Sequence, residues 1–462
     1  MARMNLLLWI MLSEQNFDYD SNYTMLRNYV DGSDKDKVVF VVALPKDVRL
    51  NDNFLFEREN VLPIGIPFPS GKREQNVWFD SNLVKKVINK YFVSLLYTNV
   101  PETVTMMKVL DPSLQYRWPI VAVMNHWVIH PTLAFYETYR GLRDLQMIGM
   151  RNADIVLYNS RYAKWMFEDE MKRFGWGEEI RREIEEKSTV VGLPIITDTM
   201  RKIEVKDVDE NVFIYNHRTE FYKRTEITFD VFDRLQKEGY KFKVKLSLTG
   251  AGKNIKYASK EYVVPFFKPN KIDYLNEIAI KHINTFNSAH ETFCISMVES
   301  AYLGGIPVVP AGLTFEELFG EDYPFIFKSV NEQIQMLRDI LGKKIEDEVE
   351  YWRKELRKRV EEKYSAERFA HTVFEILDKK MKEVKAFVWQ RMSDDMRKHI
   401  LNKLKKENGN VYEASQIADL IRDKKYGIQV FTVPMLGTVL YGHIDWFVED
   451  GKLYGELRED EI

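Results

Sequence analysis

A single cysteine, Cys294, serves a chain of 462 residues. That excludes a disulfide framework and any metal site built on several thiolates, and it fits a reducing, cytoplasmic setting. No charge sign is in excess. Lys and Arg total 67 against 70 Asp and Glu, a net charge of −3. The chain as a whole therefore has no pull toward nucleic acid or anionic membrane, and such a partner must be met by a local patch. No apolar run reaches the roughly 20 residues of a membrane helix. The opening MNLLLWIML has no cleavage site and runs at once into the polar SEQNFDYD, so it reads as a first core strand and not as a signal peptide. Repeats and low-complexity tracts are also missing. What remains, 45% hydrophobic and 30% charged, describes a soluble globular protein of two or three domains.

Strand-like apolar runs alternate with amphipathic, helix-length segments. Strands are expected at 4–11, 37–44, 91–97, 119–124, 153–158 and 188–193, with helices between them at 133–149 and 160–174. This alternation predicts a parallel, doubly wound α/β sheet. A polar stretch at 197–211 reads as a linker. The pattern restarts with VFIYN (212–216), a helix over 225–238 and KFKVKLSL (241–248). Further strands are expected near 262–264, 281–285 and 306–309. Two such units facing a cleft suit a ligand held at strand C-termini. Residues 345–382 read as charged helix. From about 390 the pattern changes to two helices, then a third that runs into a hairpin around Gly451. The domains are expected at 1–200, 201–382 and 383–462. The sheet-building alternation ends well before Lys382, so the two halves are expected to fold without the tail.

Two stretches carry chemistry. In HETFCISMVESAYLGGIPVV (290–309), Glu291 and Glu299 bracket a mostly apolar segment between two expected strands. A short helix over about 295–303 is apolar nearly all round and therefore buried. Its N-terminus offers free N–H groups to a phosphate. Buried carboxylates are costly unless hydrogen-bonded, and polyol hydroxyls are good donors. In NHRTEFYKR (216–224), Arg218 and Lys223 stand in a strand-to-helix loop, a guanidinium fork and a point charge suited to a diphosphate. Either feature alone is as readily a cap or a surface ion pair. A histidine pair, His126 and His130, lacks a third ligand at a fitting spacing, so no metal site is expected.

The Arg-x4-Lys pair and the Glu-x7-Glu pair, in that order and in those loops, resemble the donor motifs of retaining GT-B glycosyltransferases. NHRTEFYKR, HETFCISMVESAYLGGIPVVP and GLTFEEL are similar to segments of the tRNA-queuosine mannosyltransferase branch, over about 205–330. The resemblance implies a GT-B fold, two Rossmann-like domains facing a cleft. It implies an enzyme that needs no cofactor beyond a nucleotide-sugar donor of the UDP-glucose or GDP-mannose type. It assigns Arg218 and Lys223 to the diphosphate, Glu299 to the ribose and Glu291, Thr292, Phe293 and Cys294 to the sugar region, with His126 facing the sugar across the cleft. Common members carry glycine where this chain has Thr292 and Cys294. The Gly-rich loop expected after the first strand is replaced by SEQNFDYDSNY (13–23). Retention implies attack on the face the diphosphate leaves, so no protein nucleophile is assigned.

The tail, ILNKLKKENGNVYEASQIADLI followed by GHIDWFVEDGKLYGEL, resembles a winged-helix domain. Its third helix, carrying Asp445 and Glu449, is expected in a DNA major groove, with the Gly451 hairpin as wing. Lys403, Lys405 and Lys406 are its candidate backbone contacts. Trp127, Tyr19 and Tyr23 are candidates for stacking on an acceptor base. The expected acceptor is a hydroxymethylated pyrimidine in DNA, as in viral genome modification. The alternatives are a modified tRNA base, or a lipid or polysaccharide with the tail used for assembly.

Overall fold

The structure is a computed structural model that describes residues 3–10, 21–45, 55, 57–67, 81–111, 116–133, 136–217, 220–248, 256–267, 270–428 and 431–459. The first unit holds β1 (Met4–Trp9), β2 (Val38–Pro45), β3 (Val61–Ile66), β4 (Leu95–Thr98), β5 (Val109–Asp111), β6 (Tyr116–Trp118), β7 (Ile120–Asn125), β8 (Ile155–Tyr158) and β9 (Ser188–Val190). Among the described residues, seven of these form a parallel sheet in the order β3-β2-β1-β4-β7-β8-β9, and β5 and β6 make a separate antiparallel hairpin. Every residue of β1, β2 and β7 is buried. That is why these strands read as unbroken apolar runs: a parallel sheet is covered on both faces.

Two features of this sheet depart from expectation for local reasons. β4 starts at Leu95 and not at 91, because Phe92 takes a left-handed φ of 51° that no strand accommodates. β3 is not among the expected strands. It carries Pro63 and Gly65, both poor strand formers, and it survives because it lies at the edge of the sheet.

The second unit holds β10 (Val212–Tyr215), β11 (Lys243–Ser247), β12 (Val263–Phe266), β13 (His282–Thr285), β14 (Gly305–Pro310) and β15 (Ile326–Phe327), in the parallel order β12-β11-β10-β13-β14-β15. The stretch expected as linker includes a short helix, Thr197–Arg201, with Thr197 and Met200 buried. The chain then crosses back. After the helix Glu346–Tyr364, Ser365 caps the helix Ala366–Arg391, which packs on the first unit's helix Ser21–Gly32. Tyr29 meets Phe369 edge-on at 5.4 Å. The two crossings are pinned side by side: Ile195 N–H donates to the Tyr364 carbonyl and Ala366 N–H to the Ile195 carbonyl, each at 2.8 Å.

The tail runs helix Asp394–Lys406, β16 (Val411–Glu413), helix Ala414–Ile421, helix Val433–Val439, β17 (Ile444–Glu449) and β18 (Lys452–Leu457), with an antiparallel sheet β16-β18-β17. The β17–β18 turn is Asp450–Gly451, both at positive φ (47° and 70°), the geometry of a two-residue hairpin. The expectation for the third helix is corrected. Every residue of Val433–Val439 is buried, and the helix packs on Ala366–Arg391 and on Ser81–Lys90. It cannot lie in a groove while so covered. Asp445 and Glu449 belong to β17, and Asp445 accepts from the Arg3 backbone N–H at 3.2 Å.

The tail docks at the N-terminal edge of the first sheet, where Trp446 lies 5.7 Å from Phe92. The expected boundary at 382 falls inside the helix Ala366–Arg391, which runs on from the second unit toward the tail. Among the described residues, no helix is long and apolar enough to cross a membrane.

Candidate functional site

In the second sheet, chain order reverses direction between β10 and β13, and the loops after these two strands flank the resulting crevice. They are the two loops that carry the motif residues. After β10 come Asn216 and His217, both buried, then a 3-10 turn Phe221–Lys223, Arg224 at φ 47° and the helix Thr225–Lys237. After β13 comes the loop 286–294, ending at Cys294, which adopts φ 64° and caps the helix Ile295–Tyr302. Gly305 lets that helix lie against β13, since a Cβ there would stand 2.6 Å from the His282 ring and 2.7 Å from the Ser300 carbonyl. The loops are tied together: Ala289 N–H donates to the Tyr222 carbonyl at 2.8 Å.

Lys223 reaches Glu291 directly in a buried ion pair. Burial works against the ammonium, yet the Glu291 carboxylate holds its pKa above the ordinary lysine value. Glu299 is buried in the second turn of its helix and paired with Lys271, whose Nζ lies 2.7 and 2.8 Å from the two carboxylate oxygens. Behind them Asn216 donates to the Tyr274 hydroxyl at 2.7 Å, and Asn284 donates to Asn216 Oδ1 at 3.1 Å. His217 stacks on Phe286 at 4.3 Å, and burial drives its pKa far below the usual histidine value, so the ring is neutral. The Cys294 thiol is pushed up to about 12, by burial and then by the Glu291 charge.

The first unit faces this loop. Thr292 Oγ1 donates to the His126 carbonyl at 2.8 Å, and Asn159 donates to Thr292 Oγ1 at 3.1 Å. A second chain of contacts crosses the cleft: Asp169 Oδ2 lies 3.2 Å from His130 Nε2, His130 Nδ1 lies 3.1 Å from Thr132 Oγ1, and that hydroxyl lies 2.9 Å from His290 Nδ1. Burial pushes the His290 pKa down to about 3. The structure therefore brings together His126, Lys223, Glu291, Thr292 and Cys294, with Glu299 one helical turn deeper. Phe293 turns into the core, edge-on to Tyr364.

Arg218 and Tyr19, and most of the 13–23 loop, fall outside the described residues. Tyr23 is 3% exposed and packs into the core, so its ring is not offered for stacking. Trp127 is partly buried against Tyr139 at 5.2 Å. Lys403, Lys405 and Lys406 sit in the last turn of Asp394–Lys406, in the tail. Sequence reasoning missed Lys271, His217, His290, Thr132 and Asn159. The two histidines stand inside the motif stretches 216–224 and 290–309, which was the available signal. Among the described residues, no cluster of His, Cys, Asp and Glu could hold a metal ion.

No protein-family model matches the chain. Over 195 residues it is 26% identical to the tRNA-queuosine alpha-mannosyltransferase of Drosophila melanogaster, a match covering 37% of this chain and 51% of that protein. The chain thus spans about half the length of that relative. Among solved structures it resembles sucrose-phosphate synthase of Thermosynechococcus elongatus, with a TM-score of 0.61, 13% identity and coverage of 82% of this chain and 99% of that one. It also resembles Anabaena HepE in complex with UDP-glucose, with a TM-score of 0.54, 14% identity and coverage of 81% and 99%. The fold is GT-B: two Rossmann-like parallel-sheet domains across a cleft, with a small antiparallel domain appended.

Proposed function

We propose that this chain is a retaining glycosyltransferase that moves a hexose from a nucleotide sugar to a hydroxyl on a modified base of tRNA. The observation that supports the transfer reading is that Lys223, Glu291 and Glu299 stand in the segments flanking the switch point of the second sheet, where Thr292 of the same stretch bonds the His126 carbonyl across the cleft. The likeness to a tRNA-modifying mannosyltransferase supports the acceptor. In this reading Arg218 and Lys223 hold the donor diphosphate, Glu299 the ribose, and Glu291 the hydroxyls of the sugar. Cleavage of the sugar–phosphate bond puts negative charge on the diphosphate. Lys223 meets that charge once the diphosphate has drawn it from Glu291, as a cation already held at the site. The leaving phosphate takes the acceptor's proton on the same face, so no protein nucleophile and no metal enter the scheme.

A second reading, transfer to a hydroxymethylated pyrimidine in DNA, is favoured by the tail's element order of helix, strand, two helices and hairpin, the order of a winged helix. It stands behind tRNA because the helix that would enter a groove is buried.

The test incubates wild type and Lys223→Ala with UDP-glucose or GDP-mannose and either bulk tRNA or hydroxymethylated DNA, then digests to nucleosides for mass spectrometry. A hexosylated tRNA nucleoside is expected, with the variant slower by about 10²–10³-fold. Hexose found in DNA nucleosides alone would reverse the acceptor order. If wild type consumes neither donor, the transferase reading falls.

A further inference from the structure

Lys223 and Glu291 are each other's charge partner. Their side chains are 10% and 8% exposed, so water does little to screen or replace either partner. We propose that Glu291 makes the site prefer an intact nucleotide sugar to the nucleoside diphosphate left after transfer, because it competes with phosphate for Lys223. This inference rests on the donor-site reading above.

Three states arise from this geometry. With no ligand, the ammonium and carboxylate neutralise each other. When a nucleoside diphosphate binds, its oxygens compete with Glu291 for Lys223, and the buried carboxylate then stands beside a second anion with its cation shared. Uncompensated buried charge is strongly unfavourable. The titratable groups beside Glu291 in its own loop supply no substitute cation. The His290 ring, pushed down to about 3, and the Cys294 thiol, pushed up to about 12, are both neutral at pH 7. When the ligand carries a sugar, its hydroxyls donate to the freed carboxylate and remove that penalty. Once the sugar has been transferred, Glu291 loses its donors, reclaims Lys223 and displaces the diphosphate. Glu291 thereby couples sugar recognition to phosphate recognition and speeds product release.

The other pair behaves differently. Lys271 holds Glu299, and a ribose hydroxyl can donate to the carboxylate's remaining lone pairs without displacing Lys271. Ribose is common to donor and product, so Glu299 does not discriminate between them.

Calorimetry on the full-length protein tests this with UDP, UDP-glucose, GDP and GDP-mannose as probes. Wild type is expected to bind one nucleotide sugar at least about tenfold more tightly than the matching diphosphate, and Glu291→Gln to bind that diphosphate about tenfold more tightly than wild type does, with the preference for the sugar form lost. Steady-state inhibition by the diphosphate should rise in the same variant. If the pair merely staples two loops, Glu291→Gln weakens both ligands together, which overturns the proposal. Should the variant not fold, the wild type still decides: free glucose or mannose must tighten diphosphate binding, and an unchanged affinity overturns the proposal. Wild type that binds none of the four probes removes the donor site itself, a failure distinct from equal affinity for diphosphate and nucleotide sugar.

Discussion

Cys294 stands where a left-handed backbone is required, with φ 64° at the cap of the helix Ile295–Tyr302. A side chain there is strained, and a β-branched one more so. Cys294→Val is expected to lose about 1–3 kcal/mol of stability. Cys294→Gly should stay within about 1 kcal/mol of wild type, since relief of strain is offset by the extra freedom of the unfolded glycine. Denaturant melts of the two variants check both, and equal stability of valine and glycine would refute the backbone argument. This position also shows what a sequence gives away at this scale: the cysteine was visible, but only the structure reveals that the backbone there takes the positive φ that favours glycine. Lys223, Glu291 and Glu299 were legible because charge in an apolar strand–loop–helix context needs an explanation. Thr132 and His290 were not, because their contact joins positions 158 residues apart in the sequence.

At the scale of elements, strands buried on both faces were legible from their unbroken apolar runs, and the edge strand β3 was not, because Pro63 and Gly65 disguise it. β13 carries a further consequence. His282 is buried, with Nδ1 2.6 Å from the Ile280 carbonyl and Nε2 on the Ser300 hydroxyl. Burial pushes its pKa down to about 3, as it does for His290 in the loop after β13. The unfolded chain takes up a proton at each site below about pH 6.5, while the folded chain refuses it until about pH 3. The stability these neutral rings provide is therefore complete above about pH 6.5 and declines as pH falls from there toward 3, by about 1.4 kcal/mol per pH unit for each ring. Melting temperature should drop between pH 7 and pH 5. His282→Gln, which cannot protonate, should show a shallower decline than wild type. Parallel pH profiles for the two proteins would contradict the assignment.

For the whole molecule, the decisive fact is that tail and candidate site lie at opposite edges of the first sheet. The tail docks beside Phe92 and Arg3, at the strands' N-terminal ends, whereas His126 follows the C-terminal end of β7. A six-residue strand is about 20 Å long, so the two regions are at least that far apart. Sequence could not show this, because docking depends on which surfaces the folded halves leave open. A small acceptor in the cleft cannot touch the tail, while a folded nucleic acid can reach both. Lys405 and Lys406 are exposed and Lys403 is half-buried, which makes them available to a phosphate backbone without touching the donor site. Replacing all three by Gln should raise KM for polymeric tRNA, most clearly at low salt, and reduce the salt dependence of binding by up to about three phosphate contacts. The same variant should leave kcat and the KM for a free modified nucleoside unchanged. Kinetics with both acceptors at two salt concentrations separate the outcomes. Equal losses on polymer and nucleoside would mean that the substitutions act through the fold, and no loss on either would leave the tail as a buttress for the sheet edge it covers.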